Sequence, residues 1–242
     1  MRSILLLFTL LAPLCVLHGA GQNVVITPKK VVYTRPKPTE DFKKTFTVRR
    51  PNAQAATPAL SRKITAAISP EAVLQLNIKE ELGEYQWLEE ADYEIIYNQN
   101  SLLTVRLWMT GTAAYPDDVT KYVVVDTRTG TRVRPADAFQ NLAGLAGMAK
   151  KAQKAEIRKS IEEMKKAPEN KDADPGELFT ESDFKVADLK EFSVNPRGIK
   201  FYYNYGFPHV LKALQPPGEY FFTWNQLKPF IRPDGLLARF VS

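Results

Sequence analysis

Apolar residues recur along the chain with two periods, and the switch between them marks out the elements. Phe46 and Val48 alternate with Thr45, Thr47 and Arg49, which predicts a strand over 43–50. Thr57-Pro58 is a helix start, with Thr as N-cap and Pro at the first helical position. Leu60, Ile64 and Ile68 follow at spacing four and form one apolar stripe. Ser69-Pro70-Glu71 repeats the start signal and predicts a second short helix through Val73, Leu74 and Ile78. From Tyr85 the period drops to two. Tyr93, Ile95 and Tyr97 form one alternating run; Leu103, Val105, Leu107 and Met109, alternating with Thr104, Arg106 and Trp108, form another. The turn residues 98–101 join them into an antiparallel hairpin. Tyr122–Val125 predicts a third strand. The turn Asp126–Gly130 leads to a fourth over 131–134, and Pro135 opens a helix containing Phe139.

Residues 142–166 read as a helix with a largely basic polar face and a modest stripe of Leu145, Ala149, Ala152, Ile157, Ile161 and Met164. Residues 167–176 read as a loop. Strands over 191–194 and 199–205 flank a turn at 195–198. A further strand over 219–223 and a short closing helix over 224–231 complete the chain. The sum is α+β: antiparallel sheet, with helices packed on one face, in two lobes. The expected organisation is a signal peptide over 1–21, an extended basic arm over 22–41 and an N-terminal lobe over 42–141. A basic helix and loop over 142–177 and a C-terminal lobe over 178–242 follow, with one continuous sheet system joining the lobes.

The leader expectation rests on Arg2, the apolar run Ile4–Leu17 and the small residues Gly19, Ala20 and Gly21. The run is too short, and too interrupted by Thr9 and Pro13, for a membrane span of about 20 apolar residues. Cleavage near Gly21 or Gln22 would yield an exported protein, periplasmic or extracellular. Lipid attachment at Cys15 is the lesser alternative, because Leu14 precedes it. The 242 residues contain one Cys, at position 15, and two His, at 18 and 209. A cleaved chain therefore keeps only His209, which excludes disulfides, thiolate nucleophiles, Cys/His zinc sites and His-based triads.

The formal net charge is +6, and it is unevenly placed. Residues 28–50 hold Lys29, Lys30, Arg35, Lys37, Lys43, Lys44, Arg49 and Arg50 against Glu40 and Asp41. Residues 71–94 run the other way. The favoured reading is solvated strand faces, with the two stretches partly neutralising each other. The rival is a basic arm for an anionic polymer or membrane surface. No nucleic-acid motif is present, and no nucleic-acid partner is expected.

No Gly-rich phosphate loop, GxSxG elbow or HExxH pair occurs, and no cofactor or metal is expected. The nameable catalytic candidates are Asp117 and Asp118, adjacent carboxylates in the connection between strands, which could share a proton or a metal. The plainer reading of the pair is an exposed turn. His209 is either an acid–base residue or a packed loop residue. The densest aromatic stretch is Phe201–Pro208. Phe201 and Tyr203 would face one side of a strand and Tyr202 the other. One set would be core. The other, with Tyr205 and Phe207 in the following loop, could stack on a sugar ring or anchor a protein partner.

The order of three stretches resembles a known family. They are "FKKTFTVRRP" followed by "LSRKITAAI", then "NSLLTVRLWMTGTAAYPDDVTKYVVVDTRTGTRVRPADAF", then "NPRGIKFYYNYGFPHVLKALQPPGEYFFTWNQLKPFI". The chain is similar to the extracellular domain family shared by the lysozyme-sensing anti-sigma factor RsiV and the peptidoglycan deacetylase PdaC. Relatives carry a His in the small-residue turn where this chain has Tyr115, so a role for that imidazole does not transfer. Anti-sigma and deacetylase activities belong to segments not found here. The resemblance implies a non-enzymatic, envelope-exposed binding module for wall glycan or a lysozyme-like protein. Tyr115, Tyr202, Tyr205, Phe207 and His209 would be contact residues. Glu89, Glu90 and Asp92 would steer a cationic partner. The alternatives are a carboxylate-dependent hydrolase of envelope polymers using Asp117 and Asp118, or a structural partner whose basic arm orders only on assembly.

Overall fold

The computed structural model describes residues 23–83, 85–166 and 174–241. The expected leader and Cys15 lie outside them. Among the described residues no helix is long and apolar enough to cross a membrane.

Six strands form the first sheet in the order β1-β2-β3-β4-β5-β6: β1 (Val25–Thr34), β2 (Thr45–Gln54), β3 (Leu88–Gln99), β4 (Leu102–Thr112), β5 (Pro116–Asp126) and β6 (Thr131–Arg132). Between β2 and β3 come α1 (Pro58–Ala67), α2 (Pro70–Val73) and α3 (Ile78–Leu82). These helices carry the chain back along the sheet, so β3 pairs with β2 in parallel, at Thr47↔Glu90 and Val48↔Ala91. An entirely antiparallel sheet is corrected at this one junction. Thr57 caps α1 by accepting from the Leu60 amide. The single helix expected after Ser69 is divided into α2 and α3, because Gln75 adopts a left-handed φ of 59°. Gly130, at φ 74°, closes the turn from β5 to β6.

The segment expected as an extended basic arm contains the edge strand β1, paired with β2 from Val25↔Gln54 to Thr34↔Thr45. Lys29, Lys30 and Lys37 are exposed, as expected of a solvated face, and Arg35 is the exception. Arg35 is 2% exposed and donates to the carbonyls of Glu81 (2.8 Å), Lys43 (2.6 Å) and Leu88 (2.7 Å). Its guanidinium lies 4.6 Å from the centre of the Phe46 ring and pairs with the Glu81 carboxylate. Arg49 and Arg50 pair with Asp92 and Glu71. The two oppositely charged stretches thus neutralise each other through specific pairs.

The second sheet is antiparallel, β7-β8-β9: β7 (Phe192–Asn195), β8 (Gly198–Tyr202) and β9 (Glu219–Thr223). It is separate from the first, which corrects the expectation of one continuous sheet. Alternation in β4 and β5 explains how the two are joined. Leu103, Val105, Leu107, Val123 and Val125 point to one face and bury Ile64 of α1 and Ile68 just after it. The opposite face carries Leu102, Thr104 and Val124 at one end, and there the second sheet packs. Phe192, Val194, Ile199, Phe201 and Phe222 form a core with Leu145, Ala146 and Ala149 of α5 (Leu142–Met164). The expected basic helix therefore belongs to the core of the C-terminal lobe. The C-terminal half of α5 buries Met164 against Phe179 and Phe207.

Candidate binding cleft

Beyond Thr104 the second sheet covers the first only in part, at Tyr122. The remaining residues on that face of β4 and β5 are Arg106, Trp108, Thr110, Asp118, Thr120 and Tyr122, which alternation sets opposite the buried Leu and Val positions. Registration places Arg106 beside Tyr122 and Trp108 beside Thr120. Where this face meets the second sheet, a cleft of about 550 Å³ opens. Its walls are Arg106, Asp118, Thr120 and Tyr122 on one side and Glu191, Tyr202, Lys212 and Glu219 on the other.

The junction of the two walls is aromatic. The Tyr122 and Tyr202 rings stack face to face, with centroids 3.6 Å apart and an interplanar angle of 7°. Tyr202 is further fixed by a 2.9 Å hydrogen bond between its hydroxyl and that of Ser193. Burial raises its phenol well above the ordinary tyrosine value. Glu191, just before β7, straps the sheets together. Its carboxylate accepts from the Tyr122 amide at 2.7 Å and from Lys121, and its carbonyl accepts from the Tyr202 amide. Deeper in the junction, the buried Thr104 hydroxyl accepts from the Val194 amide.

One end of the cleft is closed by a clip across the tip of the β4–β5 hairpin. Asp117 and Asp118 both accept from Lys212, which follows His209 in a 3-10 turn at His209–Leu214. The bond from Lys212, and after it the Asp118 amide, holds the Asp117 carboxyl below its ordinary value; the same contact raises the Lys212 ammonium. His209 bonds the Pro116 carbonyl through Nε2 at 2.8 Å, which requires a proton on that nitrogen. Its ring stacks on Tyr115 at 4.8 Å. Asp117 and Asp118 thus follow Pro116 at the start of β5, salt-bridged to a shared cation.

Of the residues singled out from sequence, Asp118 and Tyr202 line the cleft, and Asp117, Tyr115 and His209 form the clip at its end. The others lie elsewhere. Phe207 is buried with Met164 and Phe179, which corrects its expected role as an exposed anchor. Tyr205 is half-buried, and its hydroxyl and that of Tyr220 share the Glu156 carboxylate at 2.8 and 2.9 Å. Asp92 is 7% exposed and bridges to Arg49 at 2.9 Å, so it is not a free steering charge. Glu89 and Glu90 remain exposed on β3, away from the cleft lining. Sequence reasoning did not single out Arg106, Trp108, Tyr122 or Glu191. The available signal was a Trp and a Tyr on the otherwise polar phase of two alternating strands. Among the described residues, no group of His, Cys, Asp and Glu is arranged to hold a metal.

No protein-family model matches the sequence, and no curated protein matches it. Several solved structures resemble the chain, two of them as follows. One is the crystal structure of a DUF3298 family member from Bacteroides fragilis NCTC 9343, 16% identical, with a TM-score of 0.57 over 90% of this chain and 99% of that one. The other is a DUF3298 family protein from Pseudomonas aeruginosa PAO1, 10% identical, with a TM-score of 0.57 over 87% of this chain and 94% of that one. Both likenesses run through nearly the whole described chain and establish a shared α+β fold with proteins of a domain family of unknown function.

Proposed function

We propose that this protein is a non-enzymatic, exported binding module of the bacterial envelope, and that the cleft between its sheets takes a wall saccharide. The observation that carries the reading is the stacked Tyr122–Tyr202 pair at the junction of a cleft walled by alternating donors and acceptors. A pyranose presents C–H bonds on its faces and hydroxyls on its edge. An aromatic wall accommodates the faces, while carboxylates, ammonium groups and Thr120 satisfy the hydroxyls. A volume of about 550 Å³ is in the range of small-ligand sites. The pieces are held in place before any ligand arrives, by the Glu191 strap and the Lys212 clip, which limits the ordering cost of binding.

The hydrolase alternative fits less well. A glycosidic general acid needs a carboxyl with a raised pKa. Asp117 is shifted the other way and shares Lys212 with Asp118. A lysozyme-like partner steered by acidic residues is also less supported, since Asp92, Glu71 and Glu81 are matched by arginines.

The test is co-sedimentation of the protein with insoluble peptidoglycan, comparing wild type with Tyr122→Ala. Saturable wild-type binding that weakens at least about tenfold in the variant, with the melting transition retained, is the expected result. Equal binding by both, or none by either, removes the cleft as a saccharide site.

A further inference from the structure

The charges lining the cleft are unequally matched. Its carboxylates are engaged within the protein. Asp118 accepts from Lys212 at 3.0 Å, and Glu191 accepts from the Tyr122 amide. Glu219 accepts from Lys200 at 2.6 Å, and Asp188 accepts from the Lys185 amide at 2.7 Å. Two of the lining cations are matched less closely: Arg106, which meets Glu94 only at 3.8 Å, and the exposed Lys190.

Arg106 is the more telling. Its guanidinium lies 5.1 Å from the centre of the Trp108 ring, so it is held over an aromatic surface. The nearest carboxylate oxygen, on Glu94, is 3.8 Å from Nη1, beyond hydrogen-bond reach. Arg106 Nε is buried without an acceptor, one of only two such side-chain atoms among the described residues. The buried Nε fixes the side chain in place, while the part-exposed end of the guanidinium is what a ligand can reach. A guanidinium fork matches a carboxylate in a planar, bidentate geometry that a neutral hydroxyl does not reproduce.

We infer that the cleft is selective for an acidic saccharide, with Arg106 as the residue that receives the sugar carboxylate and Lys190 adding to the local positive potential. This rests on the saccharide reading of the cleft and names the class of sugar within it. Neutral units would meet the Tyr122–Tyr202 wall, and the carboxylate-bearing unit would meet Arg106.

Calorimetric titration separates the two claims. The probes are a wall-derived tetrasaccharide bearing lactyl carboxylates and the same tetrasaccharide with its carboxyls reduced to alcohols, at neutral pH and low salt. The wild-type protein is expected to bind the carboxylated probe about tenfold more tightly or better, the range of one charge-assisted contact. Arg106→Gln, with an unchanged melting temperature, should bind both probes with the affinity of wild type for the reduced one. Arg106→Lys should keep part of the preference, because it keeps the charge and loses the fork. Equal binding of both probes by wild type overturns the carboxylate inference and leaves the saccharide reading standing. A preference that survives intact in Arg106→Gln overturns the assignment to Arg106. Binding of neither probe overturns both.

Discussion

Replacing Arg35 by Met should destabilise the protein by about 4 kcal/mol, although the residue stands in the most cationic stretch of the sequence and touches no part of the cleft. The side chain is 2% exposed, and its guanidinium serves three carbonyls that lie far apart along the chain, on Lys43, Glu81 and Leu88. It thereby fixes the end of β1, the turn at 41–43, α3 and the start of β3 to one another. Methionine preserves apolar packing on Phe46 but returns no donor. Each carbonyl then loses a charge-assisted bond worth about 1.5–3 kcal/mol net, with partial relaxation making the sum smaller than the parts. The buried Glu81 carboxylate keeps the bond from the Leu88 amide but loses its cation. Breaking a buried ion pair from one side costs about 3–5 kcal/mol, which sets the estimate. The assay is equilibrium urea unfolding followed by tryptophan fluorescence. Lys30→Met, at an exposed cation on β1, serves as the control and should lie within about 0.5 kcal/mol of wild type. Adding Glu81→Gln to Arg35→Met should recover about 1–2 kcal/mol by removing the stranded charge. A loss below about 1 kcal/mol in the single variant would refute the view that this network joins the elements.

Other outcomes follow from local geometry. Because Asp117 is held below its ordinary value by Lys212 in the folded state, the contribution of that contact is fully present above about pH 4 and is lost as the pH falls through the lowered value. Lys212→Met should return the Asp117 carboxyl to the ordinary range, read by carboxyl-carbon NMR titration; an unmoved Asp117 would contradict the clip. Gln75, exposed and at φ 59°, should be improved by glycine, with Gln75→Gly raising stability by about 0.5–1 kcal/mol in urea unfolding, whereas a loss would mean the left-handed turn is not strained. Burial raises the phenols of Tyr202, Tyr205 and Tyr220, so alkaline difference spectroscopy should show fewer than the ten tyrosines of the chain ionising reversibly near pH 10. All ten titrating together would place those rings in water.

The strands that face two different surfaces were the most legible. In β4 the apolar phase at Leu103, Val105 and Leu107 is buried as alternation requires, while on the opposite phase Arg106 and Trp108 are half-buried and Thr104 is buried where it meets the second sheet. The caps at Thr57 and Ser69 were equally readable, because a hydroxyl followed by proline has one favourable use. Strand β1 was not, since Pro28 interrupts it and exposed Val25 and Val32 blur its alternation. Arg35 was misplaced because composition shows charge and not the carbonyls that enclose it. The cleft was legible only in halves. Tyr202 stood out in an aromatic run, and Trp108 and Tyr122 lay on a polar phase. Their meeting depends on how two separate sheets pack, which no local period encodes.

The central claim is that the face left open between the sheets is where a wall saccharide binds. Its most direct test is amide NMR of the labelled protein titrated with a soluble peptidoglycan tetrasaccharide. The account predicts saturable shifts concentrated at Arg106, Thr120, Tyr122 and Tyr202, with α1 and β1 unaffected. Shifts centred on α5 or on β3 near Glu89 and Glu90, or none at millimolar sugar, would contradict it.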